Sequence, residues 1–327
     1  MRKVGITATG SYFPEKIVTN MDLEKVLDTS DEWIKTRTGI AQRHYIEKGK
    51  GSADLALPAV RALLEKRGMD PEDIQMVLFA TVTPDTVFPA SSARIQEMAG
   101  LSNAWGFDVS AACSSFLYAL ATANKFVQTG MVNNCLVIGS DVMTSIMNPE
   151  DRTTAVLFGD AAGCALVEPV ESGGLIDEFY RVDGSGTAFL YMPAGGSRKP
   201  ASMETVKNKE HFIHQHGSDV FKRAVTEMSA ACQKVLERNN VSSSDIKLLV
   251  PHQANKRIID FVGKKLRLSN EQVMINIDRR GNTTSATLPT CLDEACQNGT
   301  LVKGDLVLIT AFGAGFSWGA SLYRWSY

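Results

Sequence analysis

The sequence has no long hydrophobic run, no excess of one charge sign and no paired cysteine motif. Its 327 residues contain no apolar stretch near the roughly 18 residues that a bilayer-spanning helix needs, so no membrane association is expected. The 34 Lys and Arg against 36 Asp and Glu give a formal net charge of −2, which argues against a protein built around nucleic acid. None of the six cysteines forms a C-x-x-C pair, so a zinc or thiol-redox motif of that type is unsupported.

Two further absences concern location and ligand class. The N-terminal segment MRKVGITATGSYFP lacks the apolar stretch of a secretory signal peptide, which predicts a cytoplasmic protein with reduced thiols. Neither G-x-G-x-x-G after a strand nor G-x-x-x-x-G-K occurs, so nucleotide-phosphate binding of those types is unsupported. What is present is a globular composition, with 44% hydrophobic and 21% charged residues in a chain long enough for two domains.

Strand-like and helix-like patterns alternate along the chain. Continuous Val, Ile and Leu runs predict strands covered on both faces, as in α/β folds; they begin at Met76, Cys135, Ala161, Ile246, Asp305 and Gly319. Segments starting at Ala53 and Val220 space apolar residues three and four apart, which predicts helices. Gly, Ser, Pro and Lys cluster between residues 184 and 210, which predicts the least regular stretch.

Three pairs of segments resemble each other in the same order. LEKRGMDPEDIQMVL at residues 64–78 matches LERNNVSSSDIKLLV, which starts 172 residues later. LVIGSD from Leu136 matches LVLITA from Leu306, and GDAAGCAL from Gly159 matches GFSWGASL from Gly315. Each pair alone could reflect the general similarity of helix–strand joins, but three in order favour duplication of one α/β unit. The predicted halves are residues 1–172 and 173–327.

One cysteine lies where a nucleophile could lie. FDVSAACSSFLYALATANKFVQTG, from Phe107, predicts a strand that runs into a long helix with Cys113 in the first turn. The positive end of the helix dipole favours a thiolate there, whereas the alternative is a small core cysteine. The other five cysteines lie in apolar or helical patterns and are assigned to the core.

Five histidines could serve as the partner of a thiol. His252, in KLLVPHQAN, directly follows a predicted buried strand, where α/β folds display functional groups. His44 lies among charged residues and is predicted to be on the surface. The H-x-x-H-x-H cluster could bind a metal but lacks a supporting Cys or carboxylate ligand, so no metal site is predicted; it comprises His211, His214 and His216.

Two glycine-containing segments are the remaining candidates for a functional site. RRGNTTSATLP, at residues 279–289, predicts a tight turn that enters a helix. FGAGFSWG, from Phe312, fits either a hairpin turn or a close approach of the backbone to a ligand.

Together these motifs resemble those of a β-ketoacyl-acyl-carrier-protein synthase III of the thiolase superfamily. The resemblance rests on D-V-x-A-A-C at Cys113, P-H-Q-A-N at His252, G-N-T at Asn282 and F-G-x-G-F-x-W-G, and spans nearly the whole chain. It implies an α/β thiolase-like fold with two duplicated halves in five αβαβα layers. It also implies a decarboxylative Claisen condensation in which Cys113 takes an acyl group from an acyl-CoA, with acetyl as the default. A malonyl group on acyl carrier protein then supplies the attacking enolate, which initiates fatty acid biosynthesis.

The resemblance also assigns roles to individual residues. His252 and Asn282 would form an oxyanion hole for the malonyl thioester, and the backbone N–H groups of Cys113 and Ala314 a second one. The family commonly has Gly at the position of Ala314. Coenzyme A would be a substrate and not a permanently bound cofactor; its contacts would be Thr29, Trp33, Arg37, Arg152 and Asn255. The acyl pocket would comprise Phe158, Phe312 and Phe88, the last reaching into a partner subunit of a homodimer.

A basic segment follows His252. Residues 256–267 contain five basic residues and one acidic residue, a net charge of +4. Such a run is usually a solvated face, but here we interpret it as a docking surface for the acidic carrier protein; the residues are Lys222, Lys256, Arg257, Lys264 and Lys265. The alternatives are a CoA-dependent condensing enzyme or acyltransferase of secondary metabolism on the same fold, and a non-catalytic thiolase-fold protein.

Overall fold

The computed structural model describes residues 1–327. Its strands are Val4–Tyr12 (β1), Ile17–Thr19 (β2), Gln42–His44 (β3), Met76–Ala80 (β4), Trp105–Val109 (β5), Cys135–Asp141 (β6), Ala161–Pro169 (β7), Gly174–Val182 (β8), Leu190–Tyr191 (β9), His214–Gln215 (β10), Leu248–Pro251 (β11), Leu306–Gly313 (β12) and Ser317–Arg324 (β13). Its α-helices are Asn20–Glu24 (α1), Asp31–Thr38 (α2), Ser52–Arg67 (α3), Ser91–Met98 (α4), Ser115–Thr129 (α5), Met203–Lys207 (α6), Gly217–Arg238 (α7), Lys256–Lys265 (α8), Ile277–Arg280 (α9) and Thr287–Gln297 (α10).

The six strands predicted from apolar runs all form, as β4, β6, β7, β11, β12 and β13, and the two helices predicted from apolar spacing are α3 and α7. The strand and the long helix predicted around Cys113 form as β5 and α5. The stretch from residue 184 to residue 210 contains only short elements, among them β9 and α6. None of the helices combines the length and the apolar character that crossing a membrane would require.

Two mixed sheets form the centre of the molecule. The first has the order β1-β7-β6-β4-β5, and the second has the order β8-β13-β12-β11. The inner strands pair in the same way in both sheets. The strand β6 lies parallel to β4 and antiparallel to β7, just as β12 lies parallel to β11 and antiparallel to β13. The second sheet therefore repeats the first, except that it has no equivalent of β5. The predicted boundary after residue 172 precedes β8 and stays a prediction.

Helices cover both sheets and fill the space between them. The helices α3 and α4 pack on the outer face of the first sheet, and α7 and α8 on the outer face of the second. Leu120 of α5 and Leu292 of α10 share one buried cluster with strand residues of both sheets, including Val137 and Ile309. Burial of these apolar faces stabilises the stack. The expected five-layered αβαβα thiolase-like arrangement is confirmed.

The two central helices begin with matched turns. A single 3₁₀ turn at residues 112–114 precedes α5, and one at residues 284–286 precedes α10, again 172 residues apart. Ala112 has φ 51° and Thr284 has φ 52°, although non-glycine residues rarely adopt positive φ. Such backbone persists where surrounding contacts over-determine it, and here it adjoins Cys113 and Asn282.

Candidate active site

A cavity of about 270 Å³ lies where the two halves meet. Cys113 from the first half and His252 and Asn282 from the second half all line it. Most of the remaining wall is apolar; examples are Val82, Met143, Ile146, Phe158, Met192 and Phe221. The three side chains predicted to be catalytic therefore share one mostly apolar space.

Hydrogen bonds connect two elements: the turn that carries Cys113, and the hairpin between β12 and β13. The Ser114 hydroxyl donates to the carbonyl oxygen of Ser317 over 2.9 Å. In return, the Ser317 hydroxyl lies 2.9 Å from the carbonyl oxygen of Ala111 and 3.2 Å from that of Ala314. Ala314 also lines the cavity, so this hairpin brings its backbone next to Cys113.

Gly313 allows this close approach. A Cβ atom on Gly313 would lie 2.8 Å from the backbone nitrogen of Cys113 and 2.9 Å from the carbonyl oxygen of Ala111. Only a residue without a side chain leaves these backbone contacts undisturbed. The FGAGFSWG segment is therefore a hairpin that packs closely against the Cys113 turn, and a close approach of its backbone to a ligand stays a prediction.

Burial decides the protonation state of Cys113. Desolvation, with a smaller contribution from the Asp141 carboxylate, raises the pKa of the Cys113 thiol to about 12. Burial therefore outweighs the predicted bias of the helix dipole toward a thiolate, and that bias stays a prediction. The dipole acts only within the first turn, whereas loss of water penalises the charged sulfur more strongly. Burial thus favours the neutral thiol form of Cys113 in the unliganded protein.

His252 lines the same cavity as Cys113. It follows β11, with its backbone N–H donating to the carbonyl oxygen of Thr310 over 2.8 Å. Burial lowers the pKa of its imidazole to about 3, so the ring is neutral at physiological pH. Nδ1 lies 2.7 Å from the hydroxyl oxygen of Thr287, and Nε2 has no partner within the protein.

Contacts from both halves orient Asn282. Its backbone N–H donates to the carbonyl oxygen of Leu157 over 2.9 Å, and its carbonyl oxygen accepts from Gly159 over 3.0 Å. Its side-chain Oδ1 accepts from the N–H of Thr284 over 3.0 Å. The amide oxygen is thus occupied, which leaves the amide nitrogen to donate to a ligand in the cavity.

A wider groove of about 660 Å³ continues from the cavity to the surface. It shares Gln215, Phe221 and Asn255 with the cavity. Residues predicted to contact coenzyme A or carrier protein lie along it: Trp33, Arg37, Lys222, Asn255 and Arg257. The predicted coenzyme A and carrier-protein contacts therefore face one entrance.

The other predicted coenzyme A contacts lie beside this groove. The guanidinium carbon of Arg152 lies 5.5 Å from the centroid of the Trp33 ring. Arg152 also donates to the carbonyl oxygen of Asp28 over 2.8 Å. The hydroxyl of Thr29, just before α2, is buried without a partner in the protein.

The basic residues differ in their surroundings. Lys256 pairs with Asp260 over 2.7 Å, so its charge is balanced within α8. The guanidinium of Arg257 lies 5.2 Å from the Phe221 ring centroid. Lys264 and Lys265 are exposed, and no carboxylate lies within salt-bridge distance of either side chain or of Arg257 or Lys222.

Two of the three predicted acyl-pocket phenylalanines lie outside the cavity. Phe158 lines it, but Phe88 is 84% exposed. Phe312 is buried in β12 with ring centroids 4.9 Å from Phe316 and 6.2 Å from Trp318. Its ring packs against these two side chains and does not line the cavity, so its assignment to the acyl pocket is not supported in this chain.

The predicted surface position of His44 is also wrong. His44 is buried, with Nδ1 2.6 Å from the carbonyl oxygen of Pro14 and Nε2 accepting from Arg280 over 2.9 Å. The charged neighbours misled the prediction, because Arg43 is itself fully buried. The His211–His216 cluster holds no group of three ligating side chains.

Two buried polar residues near the site were missed. Thr287 contacts His252. The buried carboxylate of Asp141, at the end of β6, accepts hydrogen bonds from Thr81, Thr83 and the backbone of Ser285. A polar residue at the end of an otherwise apolar strand is a signal that could have identified Asp141. Thr287 has no comparable local signal.

Comparisons with known proteins agree with this geometry. Residues 107–184 match the family described as 3-Oxoacyl-[acyl-carrier-protein (ACP)] synthase III, and residues 236–325 match its C-terminal family. The chain is 50% identical to a β-ketoacyl-[acyl-carrier-protein] synthase III of Caldanaerobacter subterraneus, over 98% of each chain. It is 49% identical to one of Solibacter usitatus over 100% of both.

Solved structures from the same family superpose closely on this chain. The β-ketoacyl-[acyl-carrier-protein] synthase III of Thermus thermophilus superposes with a TM-score of 0.92 at 41% identity, covering 98% of this chain and 99% of the other. The enzyme from Aquifex aeolicus gives a TM-score of 0.91 at 37% identity, over 98% and 100%.

The layered fold and these similarities define a condensing enzyme of the thiolase-like class. Within that class, the chain belongs to the 3-oxoacyl-[acyl-carrier-protein] synthase III family. It is an acyltransferase whose condensation reaction initiates fatty acid biosynthesis.

Proposed function

We propose that the chain transfers an acyl group from acyl-CoA to Cys113 and condenses it with malonyl-acyl carrier protein, using His252 and Asn282. One observation carries the proposal: three side chains distant in sequence and drawn from both halves line one cavity. That cavity is mostly apolar and opens into a groove with Arg37, Lys222 and Arg257 on its walls. The combination suits an acyl chain joined to a long anionic carrier.

In the first half-reaction, acyl-CoA enters through the groove. The indole of Trp33 offers a stacking surface for adenine, and Arg37 offers a charge for phosphate. Arg152 already lies against Trp33, so an adenine between the two requires the guanidinium to swing outward. Asn255 lies where the groove meets the cavity and can contact the pantetheine arm.

In the second half-reaction, negative charge develops on two oxygens. The Asn282 amide nitrogen and His252 would stabilise the enolate oxygen of the malonyl thioester after CO₂ leaves. The backbone N–H groups of Cys113 and Ala314 would stabilise the acyl-Cys113 oxygen during attack. Substituting Ala for the family's usual Gly at position 314 keeps the N–H donor.

The carrier protein would dock on the basic surface at the groove entrance. Lys222 and Arg257 line the groove, and Lys264 and Lys265 on α8 extend the unpaired positive charge. An acidic partner would be steered to this surface by electrostatic attraction. Lys256 contributes less, because Asp260 neutralises it.

The proposed assembly is a homodimer formed at β5. This strand ends the first sheet, and Trp105 and Phe107 on it are 43% and 38% exposed. An uncovered edge strand with large apolar side chains is a surface that proteins normally pair or cover. Pairing with a second copy would cover it, and the exposed Phe88 would then contribute to the partner's acyl pocket. The cytoplasmic location stays a prediction.

The proposal is tested by intact-mass measurement after incubation with a panel of acyl-CoAs. Wild type should gain the acyl mass, most rapidly from acetyl-CoA, and Cys113→Ala should gain none. A preference for longer chains would overturn the acetyl assignment, and no acylation by any donor would overturn the proposal. Comparing products from malonyl-carrier protein and malonyl-CoA distinguishes this function from a CoA-dependent enzyme of secondary metabolism.

A further inference from the structure

A buried carboxyl group connects the first half of the chain to the segment of residues 282–286, here called the Asn282 turn. Asp141 is fully buried and is the last residue of β6. Its Oδ2 accepts from the backbone N–H of Ser285 over 2.9 Å and from the Ser285 hydroxyl over 2.5 Å. Donors from the segment after β4 bind the other oxygen, Oδ1: the Thr81 hydroxyl at 2.9 Å, the Val82 N–H at 2.8 Å, and the Thr83 N–H and hydroxyl at 3.2 and 2.9 Å.

A second residue of β6 brings the Asn282 turn equally close. Residues two apart on a strand face the same side of the sheet, so Gly139 faces the same way as Asp141. A Cβ atom on Gly139 would lie 2.4 Å from the carbonyl oxygen of Ser285. The strand β6 therefore contacts the backbone of Ser285 at two points, its carbonyl oxygen and its N–H.

The conformation of the turn determines how the Asn282 amide is oriented. Thr284 has φ 52°, a value that residues with a side chain rarely adopt. In this conformation its N–H donates to Oδ1 of Asn282 over 3.0 Å. Because the oxygen and nitrogen of an amide lie on opposite sides of one planar group, engaging the oxygen here directs the nitrogen away from the turn. Ser285, the next residue, is the one that Asp141 binds.

We propose that Asp141 is a positioning residue that holds the Asn282 turn against the first half, so that the Asn282 amide nitrogen faces the malonyl thioester oxygen. The inference rests on the proposed function, because it takes Asn282 as a donor to that oxygen. It extends that function by assigning a residue of the first half to the support of a donor from the second half. A carboxyl group suits this role because each of its two oxygens accepts hydrogen bonds.

Asp141→Asn tests the proposal with a change of only one atom type. An amide has one acceptor oxygen, and its nitrogen only donates, so either the Ser285 N–H or the donors after β4 lose their acceptor. Burial raises the pKa of Asp141, but a carboxyl oxygen accepts from the Ser285 N–H whether or not the group is protonated. Release of CO₂ from malonyl-carrier protein should slow about tenfold or more, because a displaced donor stabilises the enolate poorly. Acylation of Cys113 by acetyl-CoA should stay within about threefold of wild type, since it does not use this donor.

Two milder variants keep the test decisive if Asp141→Asn does not fold. Ser285→Ala and Thr81→Val each remove one hydroxyl donor from the same carboxyl group, the first on the side of the Asn282 turn and the second on the side of β4. Ser285→Ala should lower the rate of CO₂ release relative to acylation by about threefold. Thr81→Val should leave this ratio unchanged, and an equal change in both variants would contradict the proposal.

Asp293→Asn is the control for placing an amide at a buried carboxylate. Asp293 is 1% exposed. Its hydrogen-bond partners do not line the cavity; they are Thr9, Ser11, Lys66 and Gln297. This variant should leave the ratio of the two half-reactions as in wild type, even if it lowers stability. A shift of the ratio as large as that in Asp141→Asn would show that the effect is not specific to Asp141.

Crystal structures of wild type, Asp141→Asn and Ser285→Ala read the geometry without reference to activity. Wild type should show the Thr284 N–H bonded to Oδ1 of Asn282, and Asp141→Asn should show this bond lost or the amide turned. An unchanged Asn282 turn in Asp141→Asn would overturn the proposal, as would an equal loss of both half-reactions. If wild type neither accepts an acyl group at Cys113 nor releases CO₂, the proposed function fails, whereas the structures still decide whether Asp141 positions Asn282.

Discussion

At the scale of single residues, burial sets the chemistry of the site. Cys113 and His252 are both held in their neutral forms because the cavity walls exclude water. Asn282 is neutral by nature, and its amide oxygen is already bonded to Thr284. The unliganded site thus carries no formal charge on these three side chains. Charge develops there only as the reaction proceeds, which is when fixed donors are most effective.

Replacing Asn282 with Asp should separate the half-reactions. A carboxylate would repel the enolate and would lose the amide donor, so malonyl decarboxylation should fall by about a hundredfold or more. Acylation of Cys113 should continue, because it does not use this donor. The measurement is CO₂ release beside intact-mass acylation of the same preparation. Normal condensation by this variant would refute the role of Asn282.

The neutral state of His252 predicts a pH-dependent stability. Its folded-state pKa of about 3 lies below the ordinary value of 6.5, so unfolding binds a proton at acidic pH. The contribution of the neutral His252 ring to the free energy of unfolding is fully present above about pH 6.5. It is lost as the pH falls toward 3, by at most about 1.4 kcal/mol per pH unit, because the unfolded chain binds a proton that the folded chain does not. Urea unfolding of wild type and His252→Gln across this range measures it. The variant should show a shallower acid dependence, and identical slopes would exclude the effect.

At the scale of secondary-structure elements, function depends on how closely two turns approach. The turn before α5 carries Cys113, and the β12–β13 hairpin carries Ala314, with hydrogen bonds from Ser114 and Ser317 between them. Neither element alone could form the proposed oxyanion hole. The distance between the two elements therefore depends on both of them, and it can be this short because residue 313 is a glycine.

Gly313→Ala should disturb this pair. The new Cβ would meet backbone atoms of the Cys113 turn at 2.8 and 2.9 Å, and backbone cannot move aside as a side chain can. We expect a loss of about 1–3 kcal/mol in the free energy of unfolding, and slower acylation. Gly184→Ala is the matched control, since a Cβ there meets nothing within 4 Å. Equal effects of the two substitutions would contradict this account.

The basic face of α8 should act through association with carrier protein. Reversing the charge at Arg257 and Lys264 should raise the KM for malonyl-carrier protein about tenfold and reduce its dependence on salt, while acylation by acetyl-CoA is less affected. Lys303→Glu is the control for charge reversal, because Lys303 precedes β12 at the end away from the cavity. If neither KM nor its salt dependence changes, the carrier protein docks elsewhere.

At the scale of the whole molecule, the duplicated halves differ at their edges. Each half contributes a sheet of the same order, but only the first continues into β5. The extra strand carries exposed Trp105 and Phe107, and it leads directly into the turn with Cys113. An assembly formed at this edge would therefore adjoin both active sites.

Phe107→Lys should dissociate the proposed dimer. A charge on the edge strand opposes pairing with a second copy, so sedimentation should show a shift from two chains to one. The control is Ile176→Lys on β8, the edge of the second sheet, where Ile176 is 40% exposed. That variant should sediment as wild type does. A single chain in wild-type samples, or the same shift in both variants, would contradict the assembly.

Much of the molecule was predictable from local pattern. Six strands, three long helices and the repeat were identified from the sequence, because periodicity and turn chemistry depend on neighbours along the chain. The roles of Cys113, His252 and Asn282 came from the resemblance to a known family and stay predictions. Errors arose where a neighbour in space decides the outcome. Phe312 faces the helix layer beyond its sheet, and His44 is buried against Arg280, although both follow ordinary local patterns.

The sequence by itself thus determined the main strands and helices and their order, and its motifs predicted the roles of Cys113, His252 and Asn282. The tertiary structure alone decided that burial favours the neutral forms of Cys113 and His252 and that Thr287 contacts His252. The physical reason is that a pKa depends on exclusion of water and on charges nearby in space. Both halves contribute walls to the cavity that excludes water from Cys113 and His252, so these pKa values exist only once the halves have assembled.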